Sequence, residues 1–218
     1  MLSDTVIYDK DGKQIGLINA GHYQYMDINH ISMNLQNGYI AQEDRRFKNH
    51  NGVEGVDRHL PGRSCLIKHG GEVTQGGSTI TQQVIKNTYL TQERTFTRKI
   101  VEILLAPELE KKYSKADIIE FYCNTNFYGH RCYGVEAASL YYFGKHAEDL
   151  APEEAAVLIG ISNSPSAYDP VSHPNASKNK RDDVLKSMNE VGYLSNEDYE
   201  KAVSSPLKNR TEGNRGHG

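Results

Sequence analysis

Glu43 opens the stretch EDRRFKNHNG, residues 43–52, which sets acid, base, aromatic and imidazole groups side by side. That mix suits a carboxylate base held in a cleft, and it equally suits a charged, solvated face. Further on, Lys86, Arg94, Arg98 and Lys99 stand against one acid, Glu93. Arg forks and Lys point charges neutralise phosphate and diphosphate groups, and the QGGST segment before a helix start adds backbone N–H groups that can approach an anion closely. Taken alone, the cluster reads as well as a solvated helix face. Glu102 follows Arg98 by four residues, one helical turn. On a surface this pair would contribute only about 0.3–0.5 kcal/mol; in a cleft, Arg98 could serve a ligand and Glu102 together. With Glu43, the chain would then carry two carboxylates on separate elements, the arrangement sugar chemistry uses.

The elements that must position these groups are mostly helical. VIYDKDGKQIGLI gives two β-rich runs about Asp11-Gly12, a hairpin signal. A helix over 31–44 delivers Glu43 and Asp44 to a loop, and residues 51–77, rich in Gly and lacking a period, read as a long irregular segment. Thr79 with Gln82 has capping-box spacing for the next helix. Ile80, Val84 and Thr88 would face its core side, with Gln82, Gln83, Lys86 and Asn87 opposite. A helix over 95–112 contains Pro107, which should kink it or end it early. Ser114 and Asp117 mark another start, and helices follow in GVEAASLYYFG, in APEEAAVLIG with Pro152 in its first turn, over 175–191 before Gly192, and from Ser195 to about Ser204. Tyr113 and Tyr122 are core candidates. The polar tail from 204 to 218 is expected to be flexible.

Composition bounds the function. A content of 37% hydrophobic and 24% charged residues indicates a globular chain, long enough at 218 residues for one domain with two lobes. The net charge of -3 gives no field for nucleic acid. Cys65, Cys123 and Cys132 complete no disulfide framework and no zinc spacing, so buried or incidental thiols are expected. No apolar run approaches a membrane span and the start lacks signal-peptide regions.

EDRRFKNHNG, GGSTITQQVIKN, RKIVE, EKKYSKADIIEFYCN and GVEAASLYYFGK occur in the order and with nearly the spacing of the peptidoglycan glycosyltransferase domain of class A penicillin-binding proteins and monofunctional transglycosylases. SPSAYDP and RDDVLKSM extend the match to about residue 190. The chain closely resembles that family, glycosyltransferase family 51. The resemblance implies a lysozyme-like, mainly α, two-lobed domain over 1–203, with the small hairpin at its start. It implies polymerisation of lipid II, in which Glu43 deprotonates the 4-hydroxyl of the acceptor GlcNAc. The oxygen then attacks the donor MurNAc anomeric carbon with inversion, expelling undecaprenyl pyrophosphate.

By the same resemblance Glu102 is the second acid, and Lys86, Arg94, Arg98 and Lys99 hold the diphosphate. Ser78, Gln82, Gln83 and Asn87 line the cleft, and Asp44, Phe47 and His50 support the base. Phe47 and His50 are expected to pack and orient the loop. A divalent cation, Mg2+ or Mn2+, is plausible at the diphosphate without being obligatory. The partners implied are lipid II, the growing lipid-linked strand and a membrane surface, at the extracytoplasmic face of the bacterial membrane.

The sequence also departs from the family. Residues between His50 and QGGST run about three longer, with Arg63 the best counterpart of the family's Arg there and VDRHLPGRSC thinly apolar for membrane docking. Cys123 replaces a usual Leu, and Pro107 interrupts a helix the family keeps continuous. With no anchor and no transpeptidase region in the sequence as read, the chain is expected to be either an excised or truncated domain or a divergent relative. Two other readings compete: a non-catalytic module binding lipid-linked glycan or a cell-wall partner, and a lysozyme-like hydrolase, which would not need the Lys86, Arg94 and Arg98 cluster.

Overall fold

The structure is a computed structural model and describes residues 5–8, 14–18, 23–53, 78–89 and 96–207. Strands β1 (Thr5–Tyr8) and β2 (Gln14–Ile18) pair antiparallel, Thr5 opposite Ile18, with an irregularity between Ile7 and Tyr8. The expected Asp11-Gly12 turn lies outside the described residues.

Helix α1 (Met33–Glu43) starts where the Ser32 hydroxyl accepts the Asn34 N–H, relieving one of the unpaired amides of a first turn. Its Leu35, Tyr39, Ile40 and Ala41 are buried, and it packs on α6 (Pro152–Asn163) and α7 (Pro174–Glu190). Gly38 permits this crossing: a Cβ there would stand 2.4 Å from Ile159 Cδ1 and 3.2 Å from Met188 Sδ. Pro152 occupies the first turn of α6, and the Glu154 carboxylate accepts the Ala151 N–H at 3.0 Å. Helix α7 ends as its glycine predicts. Gly192, at φ +77°, lets its own N–H bond the Asn189 carbonyl and the Tyr193 N–H bond that of Met188. Helix α8 (Asn196–Ser204) then folds back on α7.

A second group consists of α2 (Ile80–Tyr89), α3 (Phe96–Lys112) and α4 (Lys115–Thr125). The predicted Thr79–Gln82 capping box forms, and the helix start expected at Ser114 and Asp117 is a second one. The Gln82 side chain accepts the Thr79 N–H at 2.9 Å while Thr79 Oγ1 accepts the Gln82 N–H at 3.2 Å; Ser114 and Asp117 exchange the equivalent bonds at α4. Helix α5 (Val135–Tyr142) follows, and the core runs continuously from α1 and α2 through α4 and α5 to α6 and α7.

Two expectations change, and of the two outcomes expected at Pro107 the early end does not occur: α3 continues to Lys112. The loop after α1 meets α3 at this point: a Cβ on Gly52, at φ +87°, would lie 2.6 Å from the Ala106 carbonyl. Thr88 is exposed and turns its hydroxyl to the Val84 carbonyl, while Thr81 and Ile85 take the buried positions of α2. Tyr113 is exposed against the edge of Phe121, whereas Tyr122 is buried as expected. Cys123 and Cys132 are free, buried thiols, raised by burial to a range where they stay protonated, Cys132 to about 11. Cys65 lies outside the described residues. Ser204 closes α8 and Leu207 packs against the core; residues 208–218 of the expected tail also lie outside.

Candidate active site

Glu43 is the last residue of α1, half-buried, at the point where the helix leaves the core. Both of its oxygens are held. Asn163, the last residue of α6, donates its side-chain amide to Oε1, and Gln83 of α2 donates Nε2 to Oε2 at 3.1 Å. The Gln83 carbonyl in turn accepts the Tyr122 hydroxyl at 3.0 Å. Burial holds the Tyr122 phenol well above its usual range, and the nearby Glu43 charge adds to the effect. A carboxylate with one amide donor per oxygen keeps further lone pairs for a third hydroxyl, which is what a general base requires.

The adjacent Asp44 is buried and serves the scaffold. Its Oδ2 accepts the Ile80 N–H at the start of α2 at 3.1 Å, where a carboxylate complements the helix dipole. Its oxygens also meet His50 Nε2 at 2.9 and 2.8 Å. His50 Nδ1 accepts the Gly52 N–H, so Nε2 carries the proton and donates it to Asp44. Phe47 is buried with its ring edge-to-face with His50 and the Lys115 ammonium 4.2 Å from its centroid. Lys115 continues to the His50 carbonyl and to Glu110, each at 2.8 Å. Asp44, Phe47 and His50 thus lock the loop that follows Glu43 onto α2 and α4, in keeping with the packing role expected of Phe47 and His50.

A second set forms where α3 meets the start of α2. Lys99 Nζ donates to Ser78 Oγ at 2.6 Å and to the buried Glu102 at 3.0 Å. This set joins three of the sequence-derived residues through Lys99; the Arg98 side chain lies outside the described residues, as do Arg63 and Arg94. Lys86 projects from α2 one turn beyond Gln83, exposed. Asn87 bonds Asn126 at 2.8 Å, and Gln82 is consumed by the α2 cap. Asn163, Tyr122 and Asn126 were not found by the sequence. Asn163 lies 120 residues from Glu43 in the chain, and only its position directly before SPSAYDP could have drawn attention.

A model of the transglycosylase family matches residues 11–189. The chain belongs to the transglycosylase family. Among relatives of this family member, penicillin-binding protein 1A of Aquifex aeolicus is 42% identical over 92% of this chain and 27% of its own length. Penicillin-binding protein 1F of Bacillus subtilis is 41% identical over 88% and 27%. The chain therefore spans about a quarter of the length of these curated relatives. The crystal structure of penicillin-binding protein 1A from Haemophilus influenzae superposes with a TM-score of 0.52 at 21% identity, over 95% of this chain and 21% of that one. The lysozyme-like, mainly helical fold implied by the motifs is thus the fold of this transglycosylase, with Glu43 on the first long helix and its amide partners on the second and sixth.

Proposed function

We propose that this transglycosylase unit, residues 1–203, polymerises lipid II into peptidoglycan strands. The observation that carries the reading is the Glu43 carboxylate, fixed at a helix end by two amide donors beside the polar face of α2. Glu43 takes the proton of the acceptor GlcNAc 4-hydroxyl, and that oxygen forms a bond to the donor MurNAc anomeric carbon. The bond from that carbon to the diphosphate oxygen breaks with inversion, and undecaprenyl pyrophosphate departs with the electron pair. Lys86, Arg94 and Arg98 neutralise the departing charge, the step at which positioned cations contribute most. Arg63 extends this set from the segment that precedes α2. Glu102, through Lys99 and Ser78, orients the diphosphate end, and Gln83 and Asn87 line the cleft.

Among the described residues no group of His, Cys, Asp or Glu side chains is arranged to hold a metal ion. A Mg2+ or Mn2+ ion in this reading accompanies the diphosphate of the substrate, and no step is assigned to it. No described helix is long and apolar enough to cross a membrane. Ile100, Leu104 and Leu105, exposed on α3 among the described residues, support work at the surface of a lipid bilayer; the extracytoplasmic side follows from the family resemblance. The deciding experiment incubates the purified chain with labelled lipid II, detergent and Mg2+, and resolves polymer on a gel beside Glu43→Gln. Polymer from the wild type alone is expected; equal polymer from both refutes Glu43 as the base.

A further inference from the structure

Gln83 is a side chain with two orientations. Its amide and carbonyl ends are nearly isosteric, so rotation by half a turn would present the carbonyl oxygen to the Glu43 carboxylate and remove a donor from the base. Nothing in Gln83 itself selects between the two.

The Glu43 carboxylate, an acceptor, favours the amide end, and a second selector stands behind Gln83 on α4. Tyr122 is 3% exposed and its ring is fixed edge-to-face against Tyr39, centroids 4.8 Å apart at 88°. Its hydroxyl donates to Gln83 Oε1 at 3.0 Å, with the Asn126 side chain also beside it. Burial and the Glu43 charge keep the phenol protonated, so the hydroxyl retains the hydrogen that it donates to Gln83 Oε1. We infer that Tyr122 is a positioning residue for Glu43: by donating to Gln83 Oε1 it holds the Gln83 amide toward Glu43 Oε2 and thereby fixes the plane of the carboxylate. The hydroxyl touches no reacting atom. It acts on the base through one intermediate side chain, and it rests on the reading of Glu43 as the base.

Two properties follow. Loss of the hydroxyl should lower the chemical step more than substrate binding, because the groups that contact lipid II remain. The loss should also largely vanish when Gln83 is absent, because among the described residues the hydrogen-bonded path from Tyr122 to Glu43 runs through Gln83.

The test is a double-mutant cycle with Tyr122→Phe and Gln83→Met in the whole chain, assayed with labelled lipid II. Tyr122→Phe keeps the ring and its contact with Tyr39. Expected is a fall in kcat of roughly five- to tenfold, the scale of one neutral hydrogen bond, with KM near the wild-type value. In the Gln83→Met background the same change should have almost no effect. A purely structural role for Tyr122 predicts equal losses in both backgrounds, and that result, or an unchanged kcat, overturns the inference.

A readout independent of turnover is the Gln83 side-chain amide resonance, assigned by its loss in Gln83→Met. It should exchange with water faster in Tyr122→Phe, and unchanged exchange also overturns the inference. Failure of the base reading is seen separately, as polymer from Glu43→Gln, whichever way the cycle falls.

Discussion

At the scale of single residues, two adjacent acids at one helix end divide the labour. Among the described residues Glu43 receives two amide donors and keeps lone pairs for a substrate, whereas both Asp44 oxygens are committed to His50 and one also to the α2 amide. Asp44→Asn should therefore weaken the scaffold. It retains an acceptor but loses the charge at a helix N-terminus and one charge-assisted bond, so thermal unfolding should show a loss of about 1–3 kcal/mol. An unchanged melting temperature would contradict that role. Gly52 makes the opposite kind of demand, for space and a positive φ. Gly52→Ala would bring a methyl group to 2.6 Å from the Ala106 carbonyl in a backbone region that L side chains rarely adopt. A loss of at least about 1–3 kcal/mol in denaturant unfolding is expected.

Among elements, the turn at 146–150 is held to the start of α1 by hydrogen bonds and one histidine–carboxylate pair, and to α5 by a second such pair. Ser32 N–H bonds the Ala147 carbonyl, and Ser32 Oγ and Asn34 Nδ2 both bond that of Leu150 at 3.0 Å. His146 pairs with the fully buried Glu136 at 2.7 Å, and His30 with Glu148 at 2.9 Å. Each histidine is raised above its ordinary value near 6.5, chiefly by the hydrogen bond to its carboxylate. A raised pKa means the folded state binds the proton more tightly than the unfolded chain. The contribution is therefore complete below about pH 6.5 and is lost as the pH rises through the raised values. Melting temperature should drift downward across that window, and the drift should shrink in a His30→Gln, His146→Gln double variant. Both rings are exposed, so the effect is small. Asp27, Asp117 and Asp169 run the other way. Asp27 and Asp117 are lowered by local hydrogen bonds; at Asp169, burial opposes the shift and hydrogen bonds from Val171, His130 and Ser172 outweigh it. Their support is present above about pH 3.8 and fails as the pH falls through the depressed values.

For the whole molecule, the end of α8 is tied to α7 by Arg181. Its guanidinium, 1% exposed, donates to the Ser205 carbonyl at 2.7 Å and the Val203 carbonyl at 3.0 Å, and bonds Asp182. Arg181→Ala would leave those carbonyls at the C-terminal end of α8 without their cation, and hydrogen exchange in α8 should accelerate well before that in α1 or α6. By itself the sequence determined everything governed by short separations. Thr79 with Gln82, Ser114 with Asp117, Pro152 and Gly192 each set a helix end through bonds within a few residues, and the order of motifs carried the family and the position of Glu43. The same locality explains what was misread. Thr88 and Tyr113 were expected toward the core, but whether such a position is buried depends on which neighbour packs there. The amide clamp on Glu43 and the Tyr122 bond behind it were decided by tertiary structure alone. They join residues 120 and 39 positions apart, and such a contact exists only once α6 has crossed α1 and α4 has packed on α2.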